Sequence, residues 1–214
     1  RDIKKAINFS NEKKHDKYTF SFDMLGEAAV TYEDSDRYYS QYEEAIIKTG
    51  KGKNPHKKSI SIKLSSLHPR YERNKLDLLK KELFPKAYKL TELGRENNVD
   101  ICFDAEEADR LNLSLFIFKE IIESKLIDEK YQGFGFAVQA YQKRAFFVLD
   151  WLKKYLSEVN KKINIRLVKG AYWDTEIKVA QEQGFIDYPV FTKKFATDIS
   201  YLACAHKLYE NDNV

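Results

Sequence analysis

The chain is poor in cysteine, proline, glycine and methionine, and it has no long apolar run. Its 214 residues include two cysteines, four prolines, eight glycines and one methionine. Cys102 and Cys204 stand far apart within apolar patterns. That excludes a disulfide framework or a metal site and points to reduced core thiols. No apolar stretch approaches the roughly 18 residues that cross a bilayer. The opening Arg1-Asp-Ile-Lys-Lys lacks the apolar segment of a secretory signal, and the missing initial methionine suggests a piece of a longer protein. Charge of one sign is also scarce. The 37 basic and 33 acidic residues are interspersed and leave a net charge of +4, which argues against a nucleic-acid partner. Lys13, Lys14, Lys51, Lys53, Lys57 and Lys58 gather near loops and read as solvated surface.

What is present is the composition of a soluble globular chain, 43% hydrophobic and 33% charged. Five short runs rich in β-branched or aromatic residues read as strands: Tyr18–Phe22, Ser59–Leu64, Asp100–Ala105, Gly133–Ala140 and Ile163–Val168. Helical periodicity fills the segments between them. It is marked by Leu76, Leu79, Leu83 and Leu90, by Leu111, Leu115, Phe118 and Ile121, and by Phe146, Leu149, Leu152 and Leu156. Strand and helix in alternation mean parallel strands with crossover helices, in a doubly wound sheet or a (β/α)8 barrel. No Gly-x-Gly-x-x-Gly follows the first strand, against a dinucleotide-binding sheet. Polar residues fall at strand C-termini, where barrels carry their active sites. The expected fold is therefore α/β, a distorted (β/α)8 barrel of TIM type. It is incomplete here, with about five to six βα units, because a typical barrel needs about 250 residues. Val190-Phe191-Thr192 is either a short sixth strand or a loop.

The segment Arg166 to Trp173 is the most informative. A lone arginine interrupts the buried strand, Lys169-Gly170-Ala171 ends it, and two aromatics follow. Small residues admit a ligand to the backbone and the two cations supply positive charge, a combination suited to a large, flat, anionic cofactor. Lys63 interrupts the strand at 59–64, where a charge is costly unless it is paired. It serves either a structural ion pair or a substrate carboxylate. Asp104 ends its strand as a candidate to orient a cation or accept a proton. Gln139 offers an amide that both donates and accepts. Glu106, Glu107 and Asp109 read as charges at a helix N-terminus. His68 reads as a loop anchor, Ser65 and Ser66 beside it form no nucleophile elbow, and Tyr141, Lys143 and Arg144 open a helix.

These motifs resemble the proline dehydrogenase domain of the bifunctional proline utilisation A flavoenzymes. The matching segments are 22–29, 60–65 with 67–71, 104–111, 139–144, and 166–173 with Asp174, Glu176 and Ile177. Tyr188-Pro-Val with Thr192, and Asp198 with 200–204, complete the set. The match runs from about residue 18 to the end, with residues 1–17 as an N-terminal extension or helix. The resemblance implies that residues 18–214 are the N-terminal two-thirds of the barrel and that FAD binds noncovalently. It implies oxidation of L-proline to 1-pyrroline-5-carboxylate by hydride transfer to flavin N5.

By the same resemblance, Arg166 and Gln139 contact the flavin ring and Ala105 lies against the flavin region. Val168, Lys169, Gly170 and Ala171 present backbone to the cofactor. Tyr172 and Trp173 pack along it, Trp173 near the adenine. Lys63 pairs with the proline carboxylate, Asp104 orients the cations, and Asp23 and Glu27 lie near the site. Arg166 and Asp104 are the catalytic pair, and no metal takes part. The implied partners are a quinone acceptor at the membrane and a pyrroline-5-carboxylate dehydrogenase domain in the parent protein. The implied location is cytoplasmic, with peripheral contact at the inner face of the cell membrane. Later strands and a paired-arginine helix that complete such a site are expected beyond Val214. The competing expectation is a barrel fragment without a complete substrate site.

Overall fold

Two-residue alternation in every strand run dictates a sheet with one apolar and one polar face. The computed structural model, which describes residues 3–15, 17–24, 26–52, 58–128 and 131–210, shows that sheet. Helix α1 (Ile3–Ser10) precedes β1 (Phe20–Asp23), and α2 (Tyr32–Gly50) leads to β2 (Lys58–Ile62). Then come α3 (Leu76–Glu96), β3 (Val99–Phe103), α4 (Leu111–Glu123), β4 (Phe134–Gln139), α5 (Ala145–Glu158) and β5 (Asn164–Val168). Two helices close the described chain, α6 (Trp173–Glu182) and α7 (Lys194–Tyr209). The five strands run parallel in the order β1-β2-β3-β4-β5. Each connection returns through a helix to the neighbouring position, as in a (β/α) barrel.

One face of the sheet makes the core. Phe22, Ile60, Ile62, Ile101, Phe103, Phe134 and Phe136 meet Leu79, Leu83, Leu90, Ile117, Phe118 and Ile121 of the helices. Phe118 stacks on Phe134 at 5.3 Å between centroids, and Phe103 meets the same ring edge-on at 5.0 Å. Helix α2 begins at a reciprocal cap. Thr31 accepts from the Asp34 backbone N–H, and the Asp34 carboxylate accepts from that of Thr31, both at 3.1 Å. The opposite face carries small or polar residues: Ser59, Ser61, Asp100, Cys102, Gly135 and Ala137.

Several expectations change. Lys58 is not solvated surface: it opens β2 and is buried. Lys53 and Lys57 lie outside the described residues, as does Leu25 of the first matched segment. Val190 makes only an isolated antiparallel bridge to Gln142, so 190–192 is a loop. Tyr141, Lys143 and Arg144 precede α5 rather than forming its first turn. Both cysteines are free and buried.

Gly94 of α3 shows how closely helix and sheet approach. A Cβ there would lie 2.4 Å from Ile101 Cγ1 and 2.9 Å from the Val99 carbonyl oxygen. Gly94→Ala is therefore expected to destabilise by about 1–3 kcal/mol despite alanine's better helix propensity. Urea denaturation checks it, and an unchanged or raised midpoint would show that the helix can shift.

Candidate active site

Register brings the polar strand ends together. Asp23, Ser61, Cys102, Gly135 and Asn164 lie level across the five strands. Two residues further on, at the next inward-facing position, stand Lys63, Asp104, Ala137 and Arg166. Lys63 is not within β2. It follows the strand and precedes a short 3-10 turn at Leu64–Ser66, so its ammonium leaves the sheet edge instead of interrupting the ladder. Its backbone N–H donates to the buried Tyr42 hydroxyl at 3.2 Å, and its carbonyl accepts from Ser66 Oγ at 2.6 Å.

Asp104 is the hub. Its Oδ2 lies 2.9 Å from Lys63 Nζ and its Oδ1 lies 2.5 Å from Arg166 Nη2. Oδ1 also accepts from the Ala105 N–H at 3.0 Å. Asp23 adds a second, solvent-facing carboxylate 3.2 Å from Lys63. Burial opposes the Lys63 charge, but the Asp104 carboxylate and then Asp23 outweigh it, so the ammonium is held above the ordinary lysine value. The side chains of Lys63 and Asp104 are only 13% and 16% exposed, against 56% for Asp23. Lys63 and the partly exposed Arg166 thus share one sheltered carboxylate, while the charge of Asp23 is screened by solvent, which leaves the inner part of the cluster suited to an anionic ligand. Arg166 also donates from Nη1 to Ser61 Oγ at 2.5 Å. Its buried Nε has no partner among the described residues.

Both ends of the Gln139 amide meet backbone, with one N–H and one lone pair left over. Its Nε2 donates to the Glu106 carbonyl at 2.8 Å, and its Oε1 accepts from the Ala171 N–H at 3.0 Å. It ties the loop after β3 to the loop after β5. Glu106 is not a helix-terminal charge, because α4 begins only at Leu111. Its buried carboxylate accepts from the Ser65 N–H at 3.1 Å and pairs with Arg110 at 3.1 Å. Burial pushes the Glu106 carboxyl up, and the Ser65 contacts and Arg110 pull back. His68 anchors its loop as expected: Nδ1 accepts from the Arg70 N–H at 3.0 Å and Nε2 faces Glu82 at 2.9 Å.

Past β5, Tyr172 donates to Glu27 Oε2 at 2.8 Å. Burial, and then that carboxylate, raise the phenol, which stays protonated. Trp173 is half-exposed and donates from Nε1 to the Phe191 carbonyl at 3.0 Å. Lys169 and Lys194 share Asp198 at 2.5 Å each, again two cations on one carboxylate. They border a cavity of about 320 Å³ with Tyr141, Gly170, Trp173, Phe191, Thr192 and Thr197. The sequence pointed to no ligand-binding role for Tyr141, Phe191, Thr192, Lys194, Thr197 or Asp198, although Tyr141, Thr192 and Asp198 lie in the matched segments. Aromatic and hydroxyl groups beside two cations on one carboxylate fit a phosphate-bearing planar cofactor. The terminal N–H groups that Arg166 does not spend on Ser61 and Asp104 fit an acceptor on the edge of its ring. Among the described residues, no group of three or more His, Cys, Asp or Glu is placed to hold a metal ion. No helix among them is long and apolar enough to cross a membrane.

Gly170 fixes the turn into this cavity. Its φ is +146°, and an added Cβ would lie 2.3 Å from the Tyr141 ring. Gly170→Ala is expected to cost about 1–3 kcal/mol. A denaturation midpoint equal to wild type would show that the turn tolerates a side chain.

The chain is similar to known proteins over nearly its whole length. A family model described as proline dehydrogenase matches residues 6–214. The bifunctional protein PutA of Klebsiella aerogenes is 45% identical over 217 residues, and that of Escherichia coli K12 is 44% identical. Each match covers 99% of this chain and 16% of the relative, so the chain spans about one-sixth of these curated proteins. Among solved structures, a mutant proline utilization A from Bradyrhizobium japonicum superposes with a TM-score of 0.85 at 45% identity, covering 89% of this chain and 20% of that one. Proline utilization A from Bdellovibrio bacteriovorus, inactivated by N-propargylglycine, gives 0.89 at 28% identity, covering 99% and 23%.

Proposed function

The chain belongs to the proline dehydrogenase family, and from that premise we propose that its strand ends form the proline- and flavin-facing side of an FAD-dependent proline dehydrogenase. In the whole protein, bound FAD would supply the hydride acceptor, at flavin N5, for oxidation of L-proline to 1-pyrroline-5-carboxylate. The observation that carries this reading is the Lys63–Asp104–Arg166 cluster, two cations that share one sheltered carboxylate and keep N–H donors to spare. Lys63 takes the substrate carboxylate as an ion pair. Asp104 keeps both cations in place and limits their mutual repulsion. Arg166 stabilises negative charge that builds on the cofactor ring. Val168 to Ala171 offer backbone to the cofactor, Ala105 flanks it, and Tyr172 and Trp173 cover it. The Lys169–Asp198–Lys194 group faces its phosphates. Gln139 braces the loops on either side and offers the remaining N–H of its amide to the flavin ring.

On this reading residues 18–214 supply the N-terminal two-thirds of the barrel and residues 1–17 precede it. The bifunctional relatives favour a pyrroline-5-carboxylate dehydrogenase partner domain. A quinone at the inner face of the cell membrane would receive the electrons of a cytoplasmic protein.

The test uses the full-length protein. It is expected to purify yellow, with flavin absorption that anaerobic proline bleaches. A colourless or unbleached protein would favour the alternative, a barrel without a complete substrate site. Lys63→Met is expected to raise the proline concentration needed for half-maximal bleaching by 10-fold or more, since a charge-assisted contact to a carboxylate is lost. An unchanged concentration would remove Lys63 from substrate binding. Arg166→Met is expected to slow flavin reduction about 100-fold in stopped flow, the scale of losing one preorganised charge donor. Wild-type rates would exclude Arg166 from the chemistry.

A further inference from the structure

Arg166 begins on β5 and ends beside β2. Its guanidinium passes β4 to reach Asp104 at the end of β3 and Ser61 within β2. The residue paired with Arg166 on β4 is Ala137, and the preceding inward position is Gly135. Small residues at both places leave room for the crossing. Ser61 is fully buried, at 0% exposure. It receives Nη1 while Asp104 receives Nη2, each at 2.5 Å. One carboxylate contact alone would let the guanidinium swing about that contact. A second contact, to the other terminal nitrogen and from a different strand, fixes its plane. The three N–H groups left over, one on each terminal nitrogen and the buried Nε–H, are then held in fixed directions.

We propose that Ser61 is a positioning residue: its hydroxyl sets the plane of the Arg166 guanidinium and so determines which N–H faces the cofactor. The proposal rests on the flavin reading above for its consequence, and on the Ser61–Arg166 contact for its geometry. A hydroxyl does this without adding a carboxylate that would cancel the local positive charge.

Full-length protein carrying FAD tests it, with sulfite as the probe. Sulfite adds to the oxidised flavin at N5 and leaves negative charge on the ring, so its affinity reports the nearby cation without any need for proline turnover. Ser61→Ala is expected to weaken sulfite binding roughly 10-fold, to lower the flavin midpoint potential and to slow reduction by proline, with little change in KM. These are the effects of loosening one charge-assisted hydrogen bond. Ser61→Thr, which restores the hydroxyl, is expected to recover sulfite affinity. Ser59→Ala, two residues earlier on the same strand face, is expected to leave it unchanged. Ser61→Cys keeps the size and weakens the acceptor, and it stands in if the alanine variant does not fold. Wild-type sulfite affinity and potential in Ser61→Ala, or an equal loss in Ser59→Ala, would overturn the proposal. So would a crystal structure of Ser61→Ala with Arg166 unmoved, whether or not flavin is bound. A wild-type protein that takes up no flavin would reject the functional reading instead. A displaced Arg166 in the variant would then still support the positioning role.

Discussion

A single half-buried carboxylate, Asp104, holds the candidate site together. It sits at the end of β3 with Lys63 from beside β2 on one oxygen and Arg166 from β5 on the other. Without it, two cations would face each other in a sheltered place, which the interior does not tolerate. The strand register has to be right for that sharing to occur. A slip of one residue would turn Asp104 toward the helices and Phe103 into the site. The apolar face of the same strands blocks that slip, because Ile101 and Phe103 are buried against the helices with no exposure at all. Packing on one face therefore enforces the electrostatics of the other.

Much of this was legible in the residues. The five strands and the helices at 76–96, 111–123 and 145–158 follow from β-branched runs and three-to-four spacing, and α3 continues through Pro85 as its leucine pattern required. The functional strand ends were legible because charge in an apolar run is costly, so Lys63, Asp104 and Arg166 demanded partners. Their identity as one another's partners was not visible. Lys63 to Asp104 spans 41 residues and Arg166 to Ser61 spans 105, and only the sheet order makes them neighbours. Glu106 misled for a related reason. An acid before an apolar helix normally serves the helix dipole, but here a 3-10 turn delays α4 and frees the side chain to hold the Ser65 loop. Lys58 misled because its strand begins earlier than the apolar run suggests.

The inner face also explains residues that carry no chemistry themselves. Parallel strands covered on both sides usually read as continuous hydrophobic runs. These alternate instead, with Ser59, Ser61, Cys102, Gly135 and Ala137 facing inward. A bulky side chain at Ala137 would stand between Arg166 and Asp104, and one at Gly135 would press on the Asn164 backbone, where an added Cβ would lie 2.7 Å from the carbonyl oxygen. The small residues on β4 are thus a condition for an ion pair between the strands on either side of it. Cys102 belongs to the same set. Burial raises its thiol to about 11, so it fills space there as an inert small group.

Each cation is further restrained by hydroxyls on the protein. Tyr42 and Ser66 hold the backbone of Lys63, and Ser61 holds the head group of Arg166. Carboxylates in those places would give stronger contacts, but they would neutralise the charge that an anionic substrate or cofactor needs. They would also add a desolvation cost that grows with burial. Neutral oxygens separate two requirements that an acid would merge, fixing where a cation points and leaving its charge available. Lys169 and Lys194 are held differently, by one carboxylate that serves two ammonium groups. The positive charge beyond β5 is therefore a property of how few acids are admitted there, as much as of how many bases are present.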